Sequence, residues 1–257
     1  MLKSSSKCTV LKNEIIKIIS ANKFYIILLS ILSSVILMAI VRISFKAENS
    51  SVSLSVQTFL KSSLNGILIK PLLPIFMIII VAEIFSEDYA QGTMKFSLLT
   101  PIKKKDLIIG KLAFIALYSA VLIIFSFIAC YIIGILFFGF GDRNTAFDSL
   151  ITNIKLYAVL ILPLISFSMI MSLIAMFIKG TGAMIGAGIG IYFIMIFIDM
   201  GIKNAMYYTF SGGLLAFDLV GNDPNMGILK LIISAIVYII LALIANVVVI
   251  KKKDILL

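Results

Sequence analysis

Histidine and tryptophan are absent from this chain of 257 residues, and cysteine occurs only twice. Without histidine, the chain can build neither a histidine-dependent nucleophile nor a histidine-ligated metal site. Cys8 and Cys130 stand far apart in sequence, so neither a disulfide framework nor a paired-cysteine metal site is indicated. Charge is also scarce, since Asp, Glu, Lys and Arg make up 13% of the residues. These absences exclude the chemistry that depends on histidine and disfavour a soluble protein.

Hydrophobic residues, by contrast, are abundant in this chain. They make up 61% of the chain, and the mean hydropathy is +1.18. An ordinary soluble domain is about half apolar and roughly a quarter charged. Several apolar runs are about as long as the roughly 20 residues that a helix needs to cross the hydrocarbon core. Because these runs are continuous and do not alternate, they predict an all-α membrane protein with helical spans.

The apolar runs predict a single domain that covers the whole chain and crosses the membrane six times. The spans are expected at about residues 24–41, 68–85, 107–138, 154–178, 181–198 and 227–250. Before them, residues 10–22 place Ile15 and Ile18 on one helical face and Lys12 and Lys17 largely on the other. This pattern is typical of an amphipathic helix that lies at the inner membrane surface.

The segments between the spans also carry signals. Residues 44–70 have apolar side chains at helical spacing, so this segment is expected to pack on the outer surface or to dip into the membrane. Residues 199–225 are too polar to span, and aromatic residues surround Gly212-Gly213. They predict two short helices broken at the glycines, in the outer interface or re-entering. Pro163 predicts a kink in the fourth span.

Basic residues are unevenly distributed along the chain. They are concentrated near the N-terminus, between residues 95 and 111, and at residues 251–253. By the positive-inside rule, both termini are expected in the cytoplasm, with the chain spanning the cell membrane several times. The net charge of +10 is therefore assigned to membrane orientation and anionic lipid, and no nucleic-acid partner is expected.

Glu83 is the acid that the prediction places inside a span, near the inner end of the second one. An ionisable residue in a span is a functional hypothesis by default. A structural alternative stays open, because Glu83 lies near the loop and Lys111 is a candidate partner for it. Glu83 and Lys111 are the two predicted intramembrane charges.

A polar stretch between the second and third spans predicts a short inner helix at about residues 86–100. Ser86 or Asp88 can cap its start, and Gln91 stands in the capping-box position relative to Asp88. Pro101 ends the helix because it lacks the amide donor. A lysine cluster at residues 103–105 then enters the third span. A charged inner loop of this kind can be gripped by a soluble partner.

The fifth span holds a stripe of small residues. Gly182, Gly186 and Gly190 follow one another at four-residue steps. Small residues let two helices approach closely, which drives helix association in lipid. The glycines lack the strand-turn-helix context of a dinucleotide-binding fingerprint. The stripe therefore predicts a helix-packing site.

The stretch that begins at Glu83 carries a motif in which a glutamate is followed by Gly-Thr, a leucine pair, a proline, a basic residue and Gly-Lys. Its members are Glu83, Gly92-Thr93, Leu98-Leu99, Pro101, Lys103 and Gly110-Lys111. This order resembles the pattern in the membrane subunits of ABC-2-type ATP-binding cassette transporters. The layout is similar too, with an elbow helix, six spans, a coupling helix and outer helices. Lys103 stands where many members have arginine, so a point charge replaces a bidentate group.

The resemblance implies a non-enzymatic permease without a cofactor, which works with a second, identical or homologous permease and two copies of a cytoplasmic ABC ATPase. No Gly-x(4)-Gly-Lys-Ser/Thr phosphate loop occurs in the chain, so ATP hydrolysis is assigned to a separate polypeptide. The inner helix would dock into a groove of the ATPase. The residues implied in this coupling are Ser86, Glu87, Asp88, Gly92, Thr93, Met94, Phe96, Leu98, Leu99, Pro101, Lys103, Lys104 and Lys105.

The class of cargo is predicted only from the resemblance to this family and from the composition of the chain. Similar permeases export drugs, antimicrobial peptides, lipids, polysaccharides or sodium. Apolar spans with few buried charges favour an amphipathic or hydrophobic cargo. The abundance of Lys, Ile and Asn over Arg and Trp indicates a low-GC Gram-positive bacterium, where protection against bacteriocins and peptide antibiotics is a frequent use. We therefore expect an exporter of antimicrobial peptide, bacteriocin or drug.

Two other classes of protein compete with an exporter. An ion-coupled secondary transporter or channel would place acids or broken helices near the midplane and often shows an inverted repeat. An intramembrane enzyme would gather a nucleophile and a base or metal ligands at one depth. Glu83, Cys130 and Asp199 instead fall in different predicted spans.

Overall fold

The computed structural model describes residues 6–20, 22–48, 55–64, 66, 68–87, 104–141, 143–202, 205–214 and 224–252. Within these ranges the regular secondary structure is helical, without any strand. The predicted all-α class is thereby confirmed. A helix satisfies the hydrogen bonds of its backbone within the segment, apart from its two ends, which is what a chain in lipid requires.

The α-helices of the described ranges are numbered in chain order. They are α1 Ser6–Ile19, α2 Asn22–Glu48, α3 Val56–Leu64, α4 Leu73–Val81, α5 Lys104–Phe138, α6 Arg143–Ala175, α7 Thr181–Gly201 and α8 Pro224–Lys252. A first π-helical turn, Leu68–Leu72, precedes α4, and a second one, Ala82–Glu87, follows it. Two short 3₁₀ helices, Ala205–Tyr207 and Gly212–Leu214, lie between α7 and α8.

Among the described residues, five helical segments are long and apolar enough to cross a membrane. They are Asn22–Ser44, Lys104–Phe138, Ala146–Ala175, Thr181–Gly201 and Gly227–Lys252. They correspond to the predicted first, third, fourth, fifth and sixth spans. The chain is therefore a helical membrane protein, and of the six predicted spans the one at residues 68–85 is not among these five segments.

Residues 68–87 form a helix that is broken twice, and we call it the central helix. It consists of the first π turn, α4 and the second π turn. Pro71 lies inside the first π turn and Pro74 in the first turn of α4. Because proline lacks the amide donor and crowds the preceding turn, the regular α-helical register is interrupted there. The prediction of one uniform span at residues 68–85 did not take these prolines into account.

The central helix is buried in the bundle, where it packs against α6 and α7. Ile78 is fully buried and touches Gly188 of α7, where an added Cβ would lie 2.6 Å from Ile78 Cγ2. The predicted stripe of Gly182, Gly186 and Gly190 makes no such contact within the described residues. A Cβ added at any of these three positions would meet none of their atoms within 4 Å. Gly188, which is not part of the predicted stripe, is thus the glycine of α7 that allows this close approach to the central helix.

Helix α1 packs against α5 along one face. Val10, Glu14 and Ile18 are buried at four-residue steps on that face. The helix covers residues 6–19, whereas the prediction placed it at residues 10–22. At its end, both the amide and the hydroxyl of Ser20 donate to the carbonyl oxygen of Ile16, at 3.0 and 2.6 Å.

Helix α3 is the structured part of the connecting segment at residues 44–70, and it packs against α5 and α6 as expected. The amide of Val56 donates to the carbonyl oxygen of Gly139, just beyond α5, at 3.0 Å. On the buried side, the hydroxyls of Ser63 and Tyr157 lie 2.5 Å apart. Hydrogen bonds and apolar contacts therefore fix α3 to the bundle.

Helix α6 continues through Pro163, and the hydroxyl of Ser166 donates to the Pro163 carbonyl oxygen at 2.8 Å. It begins at Arg143, well before the predicted start at residue 154. Asn246 of α8 is fully buried, and its side-chain amide donates to the carbonyl oxygen of Met169 at 3.2 Å. Polar bonds of this kind hold neighbouring helices together in lipid.

The described part of the segment between α7 and α8 contains two short helices, as predicted, but the glycines lie inside the second and not between the two. Asp199 is buried at the end of α7 and accepts hydrogen bonds from Thr209 at 2.5 Å and Ser211 at 2.9 Å. A Cβ at Gly213 would lie 2.8 Å from Cβ of Pro163. The hydrogen bonds to Asp199 and the close approach to Pro163 therefore fix the described part of this segment to α7 and α6.

The contact between α7 and α4 gives a first prediction. Gly188→Ala is expected to destabilise the protein by about 1–3 kcal/mol, because the added methyl group overpacks the buried Ile78. Gly201→Ala at the end of the same helix is the matched control, because an added Cβ there meets no atom of the described residues within 4 Å, and it is expected to leave the melting temperature unchanged. Thermal unfolding of both variants in detergent tests the difference. Equal melting temperatures would contradict the packing described for Gly188.

Candidate functional site

Four charged residues meet at one end of the bundle, and we call them the charge cluster. They are Glu14 of α1, Lys23 at the start of α2, Glu83 in the second π turn and Lys111 of α5. Lys23 Nζ lies 3.3 Å from Glu83 Oε1, and Lys111 Nζ lies 3.4 Å from Glu14 Oε1. The two ion pairs thus connect four separate elements of the chain.

Three members of the charge cluster are removed from solvent. Glu14 is 8% exposed, Glu83 is 6% exposed and Lys111 is 2% exposed, whereas the side chain of Lys23 is 56% exposed. Burying a charge is expensive, and the mutual attraction of two charges offsets this only when their geometry is good and further hydrogen bonds form. The Glu14–Lys111 pair is therefore the buried pair of the site, and Lys23 links Glu83 to the solvent side.

Lys111 also binds the second π turn directly. Its ammonium donates to the carbonyl oxygen of Ile84 at 2.6 Å and lies 5.5 Å from the centroid of the Phe85 ring. The carbonyl oxygen and the aromatic ring both contact the ammonium group. One lysine thus connects α5 with the end of the central helix and with α1.

The charge cluster retains oxygen atoms without a hydrogen-bond partner. Among the described residues, these buried atoms are Glu14 Oε2, Glu83 Oε2 and the hydroxyl of Tyr118. Tyr118 follows Lys111 by two helical turns on α5 and is close enough to Glu83 to interact with its charge. A buried polar atom left unbonded costs about 1–3 kcal/mol. Such groups call for a functional or a hydration explanation, so this end of the bundle is the candidate functional site.

Both predicted intramembrane charges, Glu83 and Lys111, are buried in the bundle. Lys111 is the predicted partner of Glu83, whereas the ion pairs join Glu83 to Lys23 and Lys111 to Glu14. Glu14 is not among the predicted site residues, and Lys23 has only a topological role in the prediction. A signal for Glu14 was present, because it is the only acidic residue before Glu48 and it stands between Val10 and Ile18 at helical spacing.

Most of the predicted coupling residues lie outside the described residues. These are Asp88, Gly92, Thr93, Met94, Phe96, Leu98, Leu99, Pro101 and Lys103. The inner helix predicted at residues 86–100 therefore stays a prediction. The structure does fix both ends of the stretch at residues 88–103, because the second π turn ends at Glu87 and α5 begins at Lys104.

The predicted coupling residues at these two ends differ in their surroundings. Ser86 is fully buried, and its hydroxyl donates to the carbonyl oxygen of Ala175, the last residue of α6, at 3.2 Å. Ser86 thus ties the central helix to α6. Glu87 and Lys104 are half-buried, and Lys105 is exposed. Of these residues, Lys105 is the one that a soluble partner can reach most directly.

The fold and the site together define a class of protein. It is a helical membrane protein with two ion pairs at one end of its bundle. Comparison of the sequence with known families identifies it further. The family model described as Protein of unknown function (DUF2705) matches residues 26–256. The match covers most of the chain, so the chain belongs to this family. The search of curated proteins found no match.

The buried ion pair gives a second prediction. Lys111→Met is expected to destabilise the protein by about 3–5 kcal/mol, because it leaves the Glu14 carboxylate buried without its cation. Adding Glu14→Gln to this variant is expected to restore much of the stability, since the uncompensated charge is then gone. Thermal unfolding of the purified protein in detergent measures both effects.

Lys155→Met, an exposed lysine on α6, serves as the control and is expected to leave the melting temperature unchanged. The interpretation would be contradicted if Lys111→Met melted like the control. It would also be contradicted if the double variant were no more stable than Lys111→Met alone.

Proposed function

We propose that this chain is the membrane-spanning permease of an ABC exporter, in which two permeases assemble with two cytoplasmic ATPase subunits. The ATPases would hydrolyse ATP, and the permeases would move an amphipathic or hydrophobic cargo, such as an antimicrobial peptide, a bacteriocin or a drug, out of the cell. Both termini and the charge cluster would then face the cytoplasm of the cell in which the protein resides.

The observation that carries this proposal is the position of the charge cluster beside the stretch at residues 88–103. Glu83 stands about one helical turn before the stretch, and Lys111 about two turns after it. The two flanks are bonded to each other, because Lys111 donates to the carbonyl oxygen of Ile84, the residue that follows Glu83. A force applied to the stretch is therefore delivered to the central helix and to α5 together.

The same site would pass the movement on to two further helices. The ion pair of Lys111 with Glu14 connects α5 to α1, and the ion pair of Glu83 with Lys23 connects the second π turn to the start of α2. The second π turn is a place where the central helix can change its register, since π turns often occur at functional sites within helices. ATP-driven closure of the ATPases would shift the population between two arrangements of these helices.

The motif from Glu83 to Lys111 and the missing phosphate loop support an ATPase on a separate chain. The outward face of α7 supports pairing with a second permease. A methyl group added at Gly182, Gly186 or Gly190 would have no atom of the described ranges within 4 Å, so another helix can approach there closely. The cargo pathway would form between the two permeases.

A second candidate function is an ion-coupled transporter or channel, or a permease of the same kind for sodium, lipid or polysaccharide. The unbonded carboxylate oxygens of Glu14 and Glu83 favour it, since buried acids mark ion and proton pathways. Two features weigh against ion coupling. The acids are each paired with a lysine, and Glu83 stands at the end of the central helix, whereas coupling sites lie near the midplane.

A third prediction tests the exporter proposal. Reversing the three lysines at residues 103–105 to glutamate is expected to reduce co-purification of a phosphate-loop ATPase from native membranes by about tenfold or more, because like charges across an interface cost several kcal/mol. The bound partner is identified by mass spectrometry of the purified complex, and its amount is compared with that of the permease.

The matched control reverses the three lysines at residues 251–253, which also form a run at a helix end. It is expected to retain the ATPase. Equal retention by both triple variants would contradict the proposed contact. Uphill movement of cargo by the purified chain without a nucleotide would contradict the exporter proposal and favour ion coupling.

A further inference from the structure

A polar cleft lies at the end of the bundle opposite the charge cluster. It is formed between α3 and the first turns of α6 and has a volume of about 310 Å³. Lys111 and Gly139, beside which α3 begins, are separated by 28 positions of α5 and its end, or roughly 40 Å along a helix. The cleft is therefore a second site, independent of the charge cluster and of the proposed function.

The side chains that line the cleft are all polar, although 61% of the chain is hydrophobic. Gln57 and Lys61 come from one face of α3, and Asp148, Thr152 and Asn153 come from one face of α6. The opposite face of α3 is apolar and packed into the bundle. The amphipathic helix α3 and the first turns of α6 thus turn polar faces towards each other and leave space between them.

The floor of the cleft is held in place by a hydrogen-bonded amide pair. Asn153 is 4% exposed, and its side-chain nitrogen donates to Oε1 of Gln57 at 3.0 Å and to the Gln57 carbonyl oxygen at 3.3 Å. These bonds fix α3 relative to α6. The cleft is therefore formed before any ligand arrives, which lowers the entropic cost of binding.

One positive and one negative side chain face the cleft without pairing. Within the described part of the chain, neither the ammonium of Lys61 nor the carboxylate of Asp148 has an ion-pair or hydrogen-bond partner. Opposite charges that border the same space, and do not neutralise each other, are complementary to a ligand that itself carries both signs. The hydroxyl of Thr152, one helical turn after Asp148, donates to the Asp148 backbone carbonyl oxygen at 2.9 Å.

An apolar strip on α6 runs beside the cleft. Phe147, Ile151 and Ile154 are exposed at helical spacing on the face adjacent to the polar one. In a helix that crosses a membrane, such a strip faces acyl chains, whereas its first turns lie at the depth of the lipid head groups. The site therefore offers a polar, doubly charged pocket next to a lipid-facing apolar surface.

We propose that this cleft binds a membrane phospholipid whose head carries both a phosphate and a primary ammonium. Lys61 and the hydroxyl of Ser149, which also lines the cleft, bind the phosphate, and Asp148 accepts hydrogen bonds from the ammonium. The acyl chains run inward from the head group along Ile151 and Ile154, which follow Asp148 on α6, and Phe147 borders the head group. The volume fits a small head group, since ligand pockets in general range from roughly 300 to 1,000 Å³.

The experiment measures lipid binding to the purified full-length chain by native mass spectrometry. The probes are dioleoyl phosphatidylethanolamine, phosphatidylglycerol and phosphatidylcholine, each added in detergent at equal concentration. Phosphatidylethanolamine is expected to bind about tenfold more tightly than the other two, because phosphatidylglycerol lacks the ammonium and the methylated ammonium of phosphatidylcholine cannot donate a hydrogen bond.

Variants assign the two charges separately. Asp148→Asn is expected to remove the preference for phosphatidylethanolamine over phosphatidylglycerol, whereas Lys61→Met is expected to weaken all three lipids by about tenfold. Lys155→Met removes an exposed lysine of α6 that does not line the cleft, and it is the control. Each variant is first checked for an unchanged melting temperature, so that loss of binding is not confused with loss of folding.

Soluble glycerophosphoethanolamine, which has the head group without acyl chains, distinguishes a lipid from a free head group. It is expected to compete only weakly, because it lacks the contact with the apolar strip. If it binds as tightly as the lipid, the lipid assignment is overturned. Equal binding of the three lipids to the natural chain, or an unchanged preference in Asp148→Asn, would overturn the site itself.

Discussion

Glu14, Glu83 and Lys111 are charged residues inside a bundle that is otherwise built largely from apolar side chains, and the position of the surrounding helices depends on their pairing. A charge in the membrane interior is costly, so it must find an opposite charge or a backbone dipole nearby. The partners of these three residues come from different parts of the chain. Satisfying them brings α1, the start of α2, the second π turn and α5 together at one end. Apolar packing alone does not select such an arrangement, because lipid is as apolar as the helix surfaces.

This constraint also explains the unusual form of the central helix. The last four carbonyl oxygens of a helix have no partner within it, and in a helix that ends at Glu87 the Ile84 carbonyl is one of them. Lys111 supplies a donor for that carbonyl oxygen, and Lys23 pairs with Glu83 in the same π turn. Local irregularity of this kind is maintained only when the surroundings stabilise it. The buried pairs and the bond from Ser86 to α6 supply that stabilisation.

The sequence predicted those features that depend on local composition. Long apolar runs gave five of the spans, because hydropathy depends on neighbouring residues alone. The buried position of Lys111 followed from its place between apolar residues, but its partner Glu14 stands almost one hundred residues away, and one sequence contains no signal for such a pairing. The same reason explains why Gly188 is not part of the predicted stripe, since its importance depends on Ile78 of another helix. The break before α4 could have been anticipated from Pro71 and Pro74, whereas no proline marks the second π turn after it. The cleft between α3 and α6 could not, because it exists only once two polar faces are opposed.

The central claim is that the charge cluster holds α1 against α5, and a distance measurement tests it most directly. Cys8 is exposed on α1 and Cys130 is buried, so Cys130→Ala leaves one natural labelling position. Lys105→Cys adds a second position at the start of α5, and spin labels on both report the distance between the two helices. The account predicts one narrow distance distribution when the charge cluster is intact, and a broader or longer one in Lys111→Met. An identical narrow distribution in both proteins would contradict it.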